Sequence, residues 1–93
     1  MPQTDAPLSA AELAALEPDL QVDARFTLCP MPIVKTAQAL EPQPIGVLAR
    51  VRATDAGVAR DLPAWCRVQG QAFLGCVQEN GEWVGYVRKI VAS

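Results

Sequence analysis

The sequence predicts a two-layer α/β sandwich: a mixed four-stranded sheet in β-α-β-α-β-β order, two helices on one face, and a short helix ahead of them. Three observations carry this reading. From Leu20 onward, stretches of alternating apolar and polar residues take turns with stretches of helical spacing, the pattern of a strand–helix–strand crossover. Asn80-Gly81, between Glu79 and Glu82 and flanked by apolar runs, has the sequence of a type I′ hairpin turn. The chain has 93 residues, of which 51% are hydrophobic, so one small core can form and there is no room for a second.

Taken in order, residues 1–8 carry two prolines and small polar side chains and read as a tail. Ser9-Ala10-Ala11-Glu12 has the spacing of a capping box, which predicts a short helix that stops before Pro18 and packs on the domain surface. Residues 1–19 are thus an N-terminal tail with a short helix, and residues 20–93 the domain proper. Leu20–Ala24 alternates as a first strand. The helix after Cys29 places Ile33, Ala37 and Leu40 on one stripe, with Val34 beside it and Lys35, Thr36 and Gln38 facing away. Pro42 and Pro44 end it.

A second strand runs from Val47 to Ala53, with Val47, Ala49, Val51 and Ala53 toward the helices and Leu48, Arg50 and Arg52 on the other face. Asp55 suits the N-cap of a second helix, on which Val58, Leu62, Trp65 and Cys66 share the apolar side. Pro63 predicts a break or a tightened turn near Asp61–Leu62, and Gly70 a left-handed C-cap. Ala72–Gln78 and Trp83–Ile90 form the hairpin. The opening strand–helix–strand unit requires a right-handed parallel crossover, and the hairpin adds antiparallel pairing. Arg50, Arg52 and Arg88 line an exposed sheet face, where charge discourages edge pairing.

The chemistry concentrates between the first strand and the first long helix, in Asp23-Ala24-Arg25-Phe26-Thr27-Leu28-Cys29-Pro30-Met31-Pro32. Proline is tolerated in a first helical turn, where the N–H it lacks has no intrahelical partner, so Pro30 and Pro32 both fit that turn and Cys29 falls at or near the N-cap. The amides of Met31 and Ile33 are the donors left nearby. A thiolate at such a site is favoured by the positive end of the helix dipole, and cysteine pKa values there fall from ~8.5 to between roughly 3.5 and 7.5. Arg25, four residues earlier, is placed to help hold a thiolate. Cys66 reads as a core thiol, Cys76 as a packed or half-exposed structural one, and Lys35 as a polar-face residue.

Asp23-Ala24-Arg25 followed by Cys29-Pro30-Met31-Pro32 resembles the signature of the TusA/SirA-like sulfur-carrier family. Ala53-Thr54-Asp55 leading to Asp61-Leu62-Pro63 resembles that family's second helix, and Gly70 with Val87-Arg88-Lys89 its closing hairpin, so the likeness covers roughly residues 20–90. It implies the same two-layer sandwich and a carrier-type sulfurtransferase role in which Cys29 holds sulfur as a persulfide. Pro30, Pro32, Arg25 and Asp23 support that site. The implied partners are a cysteine desulfurase or rhodanese-type donor and a downstream acceptor protein, with tRNA thiolation, molybdenum-cofactor or other sulfur metabolism as open destinations. Phe26-Thr27-Leu28 departs from the family's usual Gly-Leu ahead of the cysteine, which removes a flexible backbone position.

Composition narrows the alternatives. A net charge of −2 argues against nucleic-acid binding through bulk electrostatics. Nothing resembles a signal peptide or a membrane span, and three irregularly spaced cysteines do not form a disulfide framework, so a reducing cytoplasm is expected. The chain has no histidine, the commonest general base and metal ligand. No metal or cofactor is therefore expected, and the chain is expected to be a monomer. The competing readings are a non-catalytic regulatory or interaction module whose Cys29 is structural and, third, a peroxide-sensing thiol.

Overall fold

The computed structural model describes residues 8–92; the expected tail over residues 1–7 lies outside them. A short helix α1 (Ala10–Ala14) precedes β1 (Leu20–Ala24), α2 (Met31–Leu40), β2 (Leu48–Ala53), α3 (Val58–Gln69), β3 (Ala72–Glu79) and β4 (Glu82–Arg88). The strands form one sheet in the order β1-β2-β4-β3. β1 runs parallel to β2 with Ala24 opposite Ala53, and β4 is antiparallel to both β2 and β3. The mixed sheet and the hairpin are as the sequence predicts, with Asn80 and Gly81 both at positive φ, 51° and 80°, as a type I′ turn requires.

One face of the sheet carries the main core. Val22, Ala49, Val51, Ala53 and Val87 pack against Leu40 of α2 and Val58, Leu62 and Cys66 of α3. Gly85 in β4 faces Leu62: a Cβ there would lie 2.6 Å from the Leu62 Cδ2. The opposite face is covered as well. Leu13 of α1 is buried with Leu48, Val84 and Tyr86, and Leu8, Leu16, Leu74 and Val77 surround them. The predicted capping box is present: the Glu12 amide donates to Ser9 Oγ (3.2 Å), and the Ser9 amide to Glu12 Oε1 (2.8 Å). Leu48, read with the arginines as outward, does face away from α2 and α3 but lies beneath α1. Beside it Arg50 donates to the Tyr86 hydroxyl (3.2 Å), and Arg52 pairs with Glu82 (2.6 Å).

Three expectations need correction. Thr36, read as facing away, is fully buried, and its hydroxyl donates to the Pro32 carbonyl one turn earlier (2.8 Å). That internal bond satisfies the only polar group the position brings inside, so threonine is accepted on a stripe with Pro32 and Leu40. Asp55 is not the N-cap of α3; that position is Gly57, and Asp55 instead accepts the Gly57 amide through Oδ1 (3.0 Å). Nor does Pro63 break the helix. It is the sixth of the twelve residues of α3, and the one N–H it lacks is outweighed by the burial of Val58, Leu62 and Cys66 on either side. Gly70 ends α3 at φ 80°, as predicted.

Lys89 is 3% exposed, and its ammonium donates to the carbonyls of Leu40 (2.9 Å) and Glu41 (2.8 Å) at the end of α2. These carbonyls have no intrahelical partner, and a cation there also opposes the negative end of the helix dipole. Lys89→Met keeps the stem and removes the donors. It is expected to lower stability by about 2–3 kcal/mol, the range for buried bonds to a charged group. The corresponding fall in Tm is about 10 °C or more for a domain of this size, readable by thermal unfolding.

Candidate functional site

Because β1 and β2 are parallel neighbours in register, the loops that follow them emerge side by side at the carboxyl end of the sheet, where open α/β folds place their sites. The first loop carries Cys29 and the second carries Asp55 and leads into α3. Two bonds stitch them together: the Phe26 amide donates to Thr54 Oγ1 (2.8 Å) and the Cys29 amide to Asp55 Oδ2 (3.0 Å). Within the first loop, the Thr27 hydroxyl donates to the Ala24 carbonyl (2.7 Å). Phe26 holds φ at 65°, the left-handed region that glycine enters freely and a bulky residue does not. The backbone thus keeps the shape that suits glycine, although a phenylalanine occupies it.

Of the three cysteines, Cys29 is exposed, Cys76 half-buried and Cys66 buried. Cys29 precedes Pro30, which is the N-cap of α2, and the peptide between them is cis. Pro32 follows in the first turn and is buried. The thiol donates to Asp61 Oδ2 at 3.0 Å, and the other oxygen of that carboxylate accepts from Arg60 Nε at 3.0 Å.

This arrangement reverses the expected direction of the thiol's acidity. The first-turn amides are already used: Met31 N–H donates to the Leu28 carbonyl (2.8 Å) and Ile33 N–H to that of Pro30 (3.0 Å), so neither is free for a thiolate. The hydrogen bond to the Asp61 carboxylate, partial desolvation and the charges of Asp61 and Asp55 all favour the thiol, and Arg60 opposes them. Cys29 is therefore held above the usual cysteine value, not below it. In turn, Asp61 is held below the usual carboxylate range by the Cys29 and Arg60 bonds, and Asp55 by the amides of Gly57 and Cys29. Burial pushes Cys66 up to about 12 and, against a backbone hydrogen bond with Val84, Cys76 up to about 11.

Asp23 and Arg25, predicted to support the site, are brought to each other. Arg25 donates from Nε to Asp23 Oδ1 (2.8 Å) and from Nη2 to Oδ2 (2.9 Å), reaches Glu82 at 3.5 Å, and lies 5.7 Å from the Phe26 ring centre. This fork holds Asp23 far below the ordinary carboxylate range. The pair braces the base of the loop, while the cation acting on the thiol is Arg60. Asp55, Arg60 and Asp61 are the site residues that sequence reasoning missed. The signal was the parallel crossover itself, which puts the start of the second helix beside the loop after the first strand.

Around the thiol, Phe26, Leu28 and Met31 expose apolar side chains, Phe26 at 83%. An exposed thiol on an apolar lip, with carboxylates on one side, can attack the outer sulfur of a persulfide presented by another protein, whose inner sulfur leaves as a thiol. Alkylation should label Cys29 first, with a pH profile displaced above that of an ordinary cysteine. Cys76 should follow slowly, and Cys66 should wait for unfolding. Peptide-resolved mass spectrometry on the native chain measures the order. Equal labelling of Cys66 and Cys29 in the folded state would overturn the burial assignment.

A family model described as sulfurtransferase TusA matches residues 20–89, which include both loops of the site. The chain belongs to the TusA family. Among its TusA-family relatives it is 39% identical over 65 residues to the putative sulfur carrier protein YrkI of Bacillus subtilis, covering 70% of this chain and 87% of that one. It is 32% identical over 71 residues to the sulfur carrier protein TusA of Pseudomonas syringae, covering 76% and 84%. Identity to the putative sulfur carrier protein YrkF of Bacillus subtilis is 37% over 68 residues, 73% of this chain. The match spans only 37% of YrkF and 36% of a putative sulfur carrier protein of Aquifex aeolicus, so the chain corresponds to about a third of those longer relatives. The crystal structure of a SirA-like protein from Desulfitobacterium hafniense shares the TusA-family fold, with a TM-score of 0.67 at 19% identity, covering 77% of this chain and 99% of that one.

Proposed function

We propose that the chain is a sulfur carrier that takes a sulfane sulfur onto Cys29 as a persulfide and passes it to a cysteine of an acceptor protein. The observation that carries this is the presentation of Cys29 alone among the cysteines, exposed on an apolar lip at the carboxyl end of the parallel strand pair. The relatives named sulfur carriers support it. The donor is a cysteine desulfurase or a rhodanese-type protein, and the compartment one that keeps thiols reduced, such as the cytoplasm. Pro30 and Pro32 fix the start of α2 behind the sulfur, and the Asp23–Arg25 pair braces the loop ahead of it.

No acid or base beyond the two proteins is needed, because a persulfide and a thiol exchange one sulfur atom and end as a thiol and a persulfide. Incubation with a cysteine desulfurase and cysteine, followed by intact mass and peptide mapping, tests the reading. A gain of one sulfur mapped to Cys29 is the expected result. A chain that stays unloaded with desulfurase and rhodanese-type donors alike overturns it.

A further inference from the structure

We propose that Asp61 is a positioning residue that latches the unloaded Cys29 in its thiol form against α3, and that a sulfur donor frees it by bringing a cation to the Asp61–Asp55 side of the sulfur. The proposal rests on the carrier reading and adds to it the control of the thiol and the chemistry of the partner.

The geometry is specific. Asp61 Oδ2 lies 3.0 Å from the reacting sulfur, and Asp55 Oδ2 holds the amide of the same residue at 3.0 Å. The sulfur and the backbone of Cys29 are thus each tied to a carboxylate from the second loop or from α3. The charged groups that act on the thiol are Asp61 and Arg60 from α3 and Asp55 from the loop before it. On its own loop, Arg25 is engaged by Asp23 and Glu82. Arg60 lies outward, 81% exposed, and binds the far oxygen of Asp61, where water screens it. The thiol therefore faces two carboxylates with one solvated cation behind them, and its acidity is shifted in the direction this predicts.

Loading undoes the latch by its own chemistry. Cys29 Sγ bonds to the donor's terminal sulfur as the donor's S–S bond breaks. The donor's inner sulfur leaves as a thiolate and takes up the proton that Cys29 gave up, so protons and oxidation states balance. Once loaded, Sγ has no proton left to donate to Asp61 Oδ2. The carboxylate that held the empty thiol then has no hydrogen bond with which to hold the inner sulfur of the loaded form, which favours handover. An empty carrier is kept unreactive toward stray electrophiles, and a full one is released.

The test uses the intact chain and small probes, so its outcome does not depend on whether a desulfurase loads it. Cys29 is labelled with a trimethylammonium-bearing and a sulfonate-bearing methanethiosulfonate, and separately with iodoacetamide across pH, each read by peptide-resolved mass spectrometry. On the folded wild type, the cationic reagent should react faster than the anionic one by more than the ratio found for the unfolded chain. In Asp61→Asn that excess should shrink. The alkylation–pH profile should also move to lower pH, with the rate at pH 7 rising by about three- to fourfold for each pKa unit released, because the gain in thiolate is partly offset by its lower nucleophilicity. Asp61→Ala serves if Asp61→Asn fails to fold, and Asp61→Glu should restore part of the charge preference. A wild type without excess cationic preference, or a folded Asp61 variant with an unchanged profile, overturns the latch. A normal latch in a chain that no donor loads would sink the carrier reading instead.

Discussion

Cys29→Ser is expected to leave the fold as stable as the wild type and to abolish sulfur acceptance. The side chain is exposed, so replacing sulfur by oxygen opens no cavity, and a serine hydroxyl can still donate to Asp61 Oδ2. A surface change of this kind falls within about 0.5 kcal/mol, or a few degrees in Tm. The chemistry does not survive in the same way. A hydroxyl is not ionised near neutral pH and forms no persulfide, and the other two thiols cannot stand in, being pushed up to about 12 and about 11 by burial. Intact mass after exposure to a desulfurase and cysteine should show one added sulfur on the wild type and none on the variant. A Cys29→Ser chain that still gains sulfur would move the site to Cys76 or Cys66.

The largest stability effect is expected from Leu62→Ala. Leu62 is fully buried, belongs to the main core and fills the space that Gly85 leaves in the central strand β4. Truncating a buried leucine costs about 2–5 kcal/mol, more where the surroundings cannot collapse into the gap. Here the wall opposite is strand backbone held by β2 and β3 on both sides, so the upper half of that range is expected. Tm should fall by at least about 12 °C. Adding Gly85→Ala puts a methyl into the space vacated and should recover part of the loss, whereas Gly85→Ala alone should destabilise by about 1–3 kcal/mol through overpacking. Urea unfolding of the two singles and the double measures the coupling; strictly additive losses would show that the two residues do not share one space. Asp61 precedes Leu62 on α3, so the variant should also loosen the carboxylate beside Cys29.

Most of the fold was legible because local and global signals agree along much of the chain. Leu20–Ala24 begins and ends where the alternation does, the capping box at Ser9 and Glu12 forms, and Asn80-Gly81 turns the hairpin. The misreadings fall where one residue answers to two demands. Thr36 is polar by composition but satisfies itself within α2, so amphipathic spacing alone placed it outside. Asp55 has the chemistry of an N-cap, yet its second oxygen is taken by an amide on a loop 26 residues away, which no local pattern announces. Pro63 looked like a breaker because a sequence does not show how firmly the residues around it are buried.

The site divides along the same line. Cys29 and its prolines stand out in the chain, because reactive thiols and fixed backbone are rare and local. The direction of the thiol's acidity did not follow from the helix start, because the amides of that turn are spent on Leu28 and Pro30, and because a carboxylate 32 residues away reaches the sulfur. Phe26 lies between the two cases. Its departure from glycine was visible, and the structure adds that the position still takes a left-handed φ, fixed by the Phe26 amide on Thr54.

The placement of α1 bears on colloidal behaviour. β3 is an edge strand, and an edge offers unpaired amides and carbonyls to any other strand that meets it. Here the Leu8 amide occupies the Leu74 carbonyl (2.7 Å), the pairing slips between Phe73 and Gly75, and Leu13 packs so close that a Cβ on Gly75 would lie 2.9 Å from its Cδ1. Residues 8–16 lie outside the family-matched region, yet they cover the greasy back of the sheet and blunt its open border in one stroke. Cutting them away would leave Leu48, Leu74, Val77 and Tyr86 facing water beside a strand edge, the combination from which intermolecular β-sheet grows.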